Sequence, residues 1–287
     1  MKVFRSVFVL TALWATTVLS FSQSKIDSLA LVNATWSTKT LKKGLVVKTC
    51  QFKNLYGGPQ NISMIVFNPS LNSRLKTGIQ PLRGVGLTSK VGKQIKAKAA
   101  INGSYFNVKD HYSVCYVMKD GVVLDTTEMK EFKTRVTGAV EINNNKMAII
   151  PWNKQTEDGY KQMSDHVLAS GPMLLSDGTV CSFDALSEKF VNTKHPRSAV
   201  AVKADGTILF VVADGRSKGN ADGVSIPELA HICRVLGADE ALNLDGGGSS
   251  TLWSKYFPEN GIINKPSDNK RFDHEGEREV VNFIYIK

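Results

Sequence analysis

The sequence predicts an α+β fold: a strand-rich mixed sheet with many hairpins, a few helices and one β-α-β unit near residues 208–250. Three observations carry this expectation. Short apolar runs flank Asp-Gly dipeptides at 120–121, 177–178 and 205–206, and Asp-Gly between apolar runs is a hairpin signal. One segment carries a full set of helix start and stop signals. That helix stands between two apolar strands, the pattern of a crossover connection.

In chain order, residues 44–52 and 62–67 read as strands around the turn cluster Tyr56-Gly57-Gly58-Pro59. A short helix is expected over 90–98. Strands 114–118 and 122–124 flank Asp120-Gly121, and strands 140–142 and 147–150 flank an Asn-rich turn. Strands 173–175 and 179–181 flank Asp177-Gly178, strands 199–202 and 208–213 flank Asp205-Gly206, and 280–286 closes the chain. The marked helix begins at Ser225, which with Glu228 three residues on forms a capping box. Pro227 falls in its first turn, where a missing N–H costs little. Leu229, Ile232, Cys233 and Leu236 give one buried face, and Gly237 supplies the stop. Ala241 to Leu244 is the strand that follows. The crossover makes 208–213 and 241–244 parallel, so both end at one edge. Each runs into Asp-Gly, at Asp214-Gly215 and Asp245-Gly246. Two carboxylates at adjacent strand ends are expected to form a reaction centre, because ligands in such units favour the carboxyl ends of strands.

The first stretch does not read as fold. Lys2 and Arg5 precede an apolar run from Val7 to Leu19, and Ser20-Phe21-Ser22 offers small residues for cleavage. This is a secretory signal pattern, shorter than the roughly 20 residues of a spanning helix. Residues 1–22 are therefore expected to be a signal peptide and 23–287 one domain. The protein is expected to be exported, to the periplasm, the cell surface or the medium, with no membrane span after removal of the leader. Apolar residues make up 42% of the 287-residue chain, enough for a substantial core. Net charge is +10, and the loss of Lys2 and Arg5 leaves +8. The excess reads as spread along the chain, without a basic run or a basic stripe interleaved with aromatics, which argues against nucleic acid. A solvated basic surface is the ordinary explanation, and an anionic small substrate the sharper one. Cys50, Cys115, Cys181 and Cys233 are far apart and have no C-x-x-C spacing. Three disulfide pairings stay open, as do buried free thiols. The oligomeric state is not legible.

Asp245-Gly246-Gly247-Gly248-Ser249-Ser250 is the strongest motif. Three glycines offer bare backbone N–H groups that close on an anion, and two hydroxyls follow as donors. A flexible turn would also use glycines, but apolar segments on both sides argue for a fixed loop. The spacing is not that of a nucleotide P-loop. Asp214-Gly215-Arg216-Ser217 follows a strongly apolar strand, and Arg216 gives a bidentate donor for phosphate or carboxylate; an ordinary hairpin turn explains it equally well. In His195-Pro196-Arg197-Ser198, Arg197 is the anion candidate against a surface ion pair, and His195 reads as structural. Asn102-Gly103-Ser104-Tyr105-Phe106-Asn107 supplies amides and an aromatic ring suited to a sugar, although Asn-Gly is a common turn. The run Glu275, Glu277, Arg278, Glu279 reads as a solvated edge.

Taken together these segments resemble the phosphodiester glycosidase family. The matching positions are 102–106, Ser170-Gly171-Pro172, 195–199, 214–216, Glu228-Leu229-Ala230, Leu236-Gly237-Ala238, 241–250 and Arg278-Glu279-Val280. The resemblance covers residues 95–287, and its most specific part is Asn-Leu-Asp-Gly-Gly-Gly-Ser-Ser. Ser104 departs from it, because family members often carry glycine there. Residues 23–90 lie outside it and read as strands added to the same domain. The resemblance implies hydrolysis of an N-acetylglucosamine-like sugar from a sugar-1-phosphodiester by C1–O cleavage. It needs no cofactor, and calcium on Asp and Asn oxygens stays open.

On this reading Asp245 is the nucleophile or base, and Asp214 a second carboxylate or a sugar orienter. Arg197, Arg216 and the N–H groups of Gly246, Gly247 and Gly248 hold phosphate, with Ser249 and Ser250 beside them. Asn102, Tyr105 and Asn243 read the sugar. Two rivals stand beside it: a non-catalytic protein that binds glycan or phosphate, and a metal-dependent phosphodiesterase cutting P–O. The second is disfavoured by few His residues and no H-x-x-x-H pair.

Overall fold

A computed structural model describes residues 25–161 and 164–287. The expected signal segment at 1–22 lies outside the described residues. Residues 25–32 form α1. Next come β1 (Ser37–Lys42), β2 (Leu45–Leu55), β3 (Gly58–Phe67), β4 (Thr77–Gly86), α2 (Thr88–Gln94) and β5 (Ala99–Asn102). The middle of the chain holds β6 (Phe106–Asn107), β7 (Tyr112–Ser113), β8 (Val117–Lys119), β9 (Val122–Asp125), α3 (Met129–Thr134), β10 (Gly138–Asn143), β11 (Lys146–Pro151), α4 (Lys154–Gly159) and β12 (His166–Ser170). The last third holds β13 (Met173–Ser176), β14 (Thr179–Val180), α5 (Glu188–Asn192), β15 (Arg197–Val202), β16 (Ile208–Ala213), α6 (Ile226–Val235), β17 (Glu240–Asn243), β18 (Leu252–Ser254) and β19 (Val280–Ile286).

The strands form an eight-stranded sheet in the order β1-β2-β3-β16-β15-β17-β13-β14, a five-stranded sheet β11-β10-β12-β8-β9, a four-stranded sheet β18-β5-β19-β4, and the hairpin β6-β7. The α+β class holds. All three Asp-Gly dipeptides sit at hairpin turns, with Asp120 and Asp177 at positive φ. The crossover through α6 also holds, with a correction. Strands β16 and β17 both pair antiparallel with β15, so they run in the same direction but are not neighbours. Two strand spacings, about 10 Å, separate their ends.

The eight-stranded sheet is apolar on both faces. In β16, Phe210 and Val212 enter a core shared with the other two sheets, through Ile101, Leu168 and Ile284. Leu209, Val211 and Ala213 enter a second core, where Leu229, Ile232 and Cys233 of α6 meet them. Burial on both faces explains the unbroken run Ile-Leu-Phe-Val-Val-Ala in place of alternation. The capping box of α6 is formed, with Ser225 accepting from the Glu228 N–H and Glu228 accepting from the Ser225 N–H. All four thiols are free, and Cys115 and Cys233 are buried. Among the described residues no helix is long and apolar enough to cross a membrane.

Candidate active site

Pairing of β17 with β15 carries Asp245 to the edge of the sheet. Beyond the last paired residue, the Leu244 N–H donates to the Ser198 carbonyl at 2.8 Å and the Asp245 N–H to the Gly103 carbonyl at 3.0 Å. Asn102, at the end of β5, donates from Nδ2 to the Asp245 carbonyl at 2.6 Å. Two segments far apart in sequence, at Asn102-Gly103 and Ser198, thus fix the backbone of Leu244 and Asp245.

The glycine loop then turns through a short 3₁₀ segment, Gly247–Ser249. Two of the three glycine N–H groups expected to hold an anion are engaged within the protein. The Gly246 N–H donates to Asp245 Oδ1 at 3.0 Å, and the Gly247 N–H to the Pro196 carbonyl at 2.8 Å. The glycines serve close approach instead. Gly247 sits at φ 63°, and a Cβ there would lie 2.9 Å from Nη2 of Arg216. A Cβ on Gly248 would overlap both the Asp268 carboxylate and the Arg278 guanidinium.

Two guanidinium groups act on the Asp245 carboxylate, and neither was expected. Arg135 stacks on the Tyr105 ring at 3.7 Å and is held from behind by buried Glu131, with Nε to Oε2 at 2.6 Å. Arg278 makes a bidentate pair with Asp268, both bonds at 2.7 Å. Burial pushes the Asp245 carboxyl above its ordinary value; the Ser249 hydroxyl, Arg135, the Gly246 N–H and Arg278 pull the other way. Ser249 Oγ nevertheless has no partner of ordinary hydrogen-bond geometry. Arg278 and Asp268 also line a cleft of about 290 Å³ with Phe106, His111 and Val85. Arg278 is therefore more than the solvated edge it reads as in sequence. Arg135 has no sequence signal, because only tertiary packing brings it here.

Asp214 occupies a different position. It is 1% exposed, and its oxygens accept from Asn61 Nδ2 at 2.7 Å, Asn264 Nδ2 at 2.9 Å and the Lys265 N–H at 3.0 Å. Both oxygens are committed, and they tie the segment at 264–265 to the ends of β3 and β16. Asp214 is expected from sequence as a second carboxylate or a sugar orienter, and the structure shows its oxygens already engaged by protein donors. Burial pushes the Asp214 carboxyl up to about 6 against the opposing pull of these donors.

The other expected residues divide in the same way. Asn102 is buried, with Oδ1 accepting from Ser198 Oγ at 2.8 Å and the Thr251 N–H at 3.1 Å. The Tyr105 hydroxyl donates to the Gly171 carbonyl at 2.6 Å and accepts from Asn243 Nδ2 at 2.8 Å. Asn243 also donates to the Gly171 carbonyl, at 2.7 Å, while its Oδ1 has no partner. These three residues lie beneath the site and hold its floor. Arg197, 4% exposed, donates to the carbonyls of Phe190 and Thr193 at 3.0 Å and of Val224 at 3.3 Å. Its expected phosphate contact gives way to backbone bonds. Arg216 is exposed and lies over the glycine loop beside Gly247. Burial and the charges of Arg197 and Arg216 push the His195 ring below its ordinary value. Ser250 Oγ is buried without a partner. Among the described residues no three of His, Cys, Asp and Glu converge as metal ligands.

Two outcomes follow from this geometry. Gly248→Ala should push the Arg278–Asp268 pair aside and lower kcat/KM about 10²-fold, the scale of a 1 Å misplacement, with the thermal midpoint close to that of the parent; steady-state kinetics and a melt check both. Because the folded pKa of Asp214 lies above the carboxylate value of 3.8, the folded state binds its proton more tightly than the unfolded chain. Its contribution to stability is present below pH 3.8 and is lost as pH rises through about 6. Urea unfolding of the parent should show this slope over that window, and Asp214→Asn should lack it.

A model of the phosphodiester glycosidase family matches residues 96–287. Over 109 residues the chain is 30% identical to mouse N-acetylglucosamine-1-phosphodiester alpha-N-acetylglucosaminidase, covering 36% of this chain and 20% of that protein. Over 96 residues it is 38% identical to the SPbeta prophage-derived protein YomE of Bacillus subtilis strain 168, covering 33% of this chain and 13% of that protein. Among solved structures, the catalytic domain of the zebrafish N-acetylglucosamine-1-phosphodiester alpha-N-acetylglucosaminidase superposes with a TM-score of 0.66 at 16% identity, over 88% of this chain and 87% of that one. A hypothetical protein from Synechocystis superposes with a TM-score of 0.65 at 15% identity, over 88% of this chain and 63% of that one. At these identities the superpositions establish a shared fold. With the family match spanning two thirds of its length, from β5 through the glycine loop to the last strand, the chain belongs to the phosphodiester glycosidase family.

Proposed function

We propose that the protein hydrolyses sugar-1-phosphodiesters at the C1–O bond, releasing an N-acetylglucosamine-like sugar and a phosphomonoester. The supporting observation is the Asp245 carboxylate, half-buried and acted on by Arg135 and Arg278. The mouse relative's name specifies N-acetylglucosamine joined through a phosphodiester, and this arrangement fits that bond. Arg135, Arg278 and Arg216 neutralise and hold the phosphate, in the geometry guanidinium groups favour. Asp245, ionised, attacks C1 or takes the proton of a water that does. The C1–O bond breaks with its electron pair on the phosphate oxygen. One water supplies the hydroxyl to C1 and the proton to the other product.

A phosphate monoester leaves readily, so the reaction needs less general acid than ordinary glycoside hydrolysis. One reacting carboxylate is then enough, consistent with the committed oxygens of Asp214. Asp214, Asn102, Tyr105, Asn243 and Arg197 act as positioning residues. With the leader expected at residues 1–22, this reading assigns the activity outside the cytoplasm.

Hydrolysis of an N-acetylglucosamine-1-phosphodiester in oxygen-18 water should place the label in the sugar. Label in the phosphate would mean P–O cleavage and would overturn the proposal. Asp245→Asn should retain the fold and lose about 10²- to 10⁴-fold in kcat, the scale of general-base or nucleophile loss. The acidic limb of the parent's pH–rate profile should lie above the ordinary aspartate range, because burial raises the carboxyl that must be ionised.

A further inference from the structure

The positive charge is not spread along the chain as it first reads. Residues 28–109 hold 11 lysines and 2 arginines and no Asp or Glu, whereas residues 110–287 hold 20 basic and 25 acidic residues. The fold gathers part of this excess into one row. In the four-stranded sheet, Ala99 is in register with Ser254 and with Ile286, and Ile286 with Thr77. The residue just beyond each of these positions is a lysine: Lys98, Lys255, Lys287 and Lys76. Backbone bonds fix the alignment, from the Lys255 N–H to the Lys98 carbonyl at 3.1 Å and between Lys76 and Lys287 at 2.8 and 2.7 Å. Adjacent strands lie about 4.8 Å apart, so the row is ~14 Å long.

The edge strand β1 extends it. Lys39 donates to the Tyr256 carbonyl at 3.3 Å, and Lys42 and Lys255 approach the Tyr256 ring at 5.4 and 4.9 Å. Among the described residues none of these six lysines has a carboxylate partner within ion-pair distance. Desolvation, and then the charges of Lys255, Lys42 and Lys287, hold Lys98 below its ordinary value. Lysines often blunt an open sheet edge against aggregation, and Lys39 and Lys42 fit that role. Lys98 and Lys287 do not, because β5 and β19 are interior strands.

Beside the row, the loop at 68–76 lifts Leu71 to 53% exposure. It is anchored there by Asn72, which donates to the Lys43 carbonyl at 3.0 Å. A row of uncompensated lysines with an exposed leucine beside it is the composition of a lipid-facing surface. Lysine rather than arginine suits loose contact with many phosphates, not bidentate capture of one. The aromatic rings beside the row, Tyr256 and Phe257, are half-buried and lie under Lys39, Lys42 and Lys255, so they are not splayed to stack the bases of a single strand.

We propose that this end of the four-stranded sheet docks the protein on the phosphate-bearing face of an anionic lipid bilayer. Strand β5 starts at the row and ends at Asn102, which holds the Asp245 carbonyl. Four residues, ~13 Å, separate the two, so the docked protein turns its active site away from the lipid.

Sedimentation of the full chain with vesicles tests this. The protein should pellet with vesicles of phosphatidylcholine and phosphatidylglycerol, not with phosphatidylcholine alone, and added salt should release it. Each lysine near such a surface is worth about a factor of five. Lys76→Gln, Lys98→Gln, Lys255→Gln and Lys287→Gln combined should weaken binding roughly 600-fold, with the melting midpoint and the hydrolytic rate unchanged. Glutamine at Lys53, Lys90, Lys109 and Lys133, an equal change in net charge, should leave at least ten times more binding than the row variant. Equal loss in the two variants, no preference for anionic vesicles, or retention on heparin without vesicle binding would each overturn the proposal.

Discussion

A carboxylate taken out of bulk water at the end of a strand is the constraint around which this molecule is arranged. Burial of an anion costs several kcal/mol unless charge or hydrogen bonds replace its hydration. Asp245 offsets part of that cost with the Ser249 hydroxyl and two guanidinium groups, each fixed from behind by a carboxylate of its own, Glu131 for Arg135 and Asp268 for Arg278, while burial still holds its carboxyl above the ordinary value. Tyr105 carries Arg135 on its ring, and Asn243 carries the Tyr105 hydroxyl. The glycine loop is bare because that pair and Arg216 pack against it. Asp214, one strand beyond β15, performs the same feat with neutral donors and so locks the loop instead of reacting.

The parts of this arrangement that depend on local chemistry were legible in the sequence. The capping box of α6, the Asp-Gly hairpins and the doubly buried β16 follow from patterns that tertiary context did not alter. Strand β8 begins at Val117, not at 114, because the N–H groups of Val114 and Tyr116 donate to the Tyr105 carbonyl and the Thr127 hydroxyl instead of to a neighbouring strand. Strand β1, Ser-Thr-Lys-Thr-Leu-Lys, is solvent-facing except at Leu41 and carries no apolar alternation to reveal it. Strand β4 is broken in sequence by Pro81 and Gly84.

The site was legible to the extent that one motif concentrates it. Asp245 and its loop stand together in sequence, so their chemistry could be read there. Parallel strand ends could also be read, but the insertion of β15 between them could not, because pairing order is a property of the whole sheet. That single strand lies between the ends that carry Asp214 and Asp245. Arg135 is a lone arginine after a short helix, and the lysine row is assembled from four strand ends spread over residues 76–287. Both exist only through register, which composition does not record.

The account stands or falls on where the phosphate sits relative to Asp245. A crystal structure of the Asp245→Asn variant with an uncleaved N-acetylglucosamine-1-phosphodiester measures this directly. The account predicts phosphate oxygens on the guanidinium groups of Arg135 and Arg278, with the sugar C1 facing residue 245. Phosphorus facing residue 245, or phosphate bound away from both arginines, would contradict it.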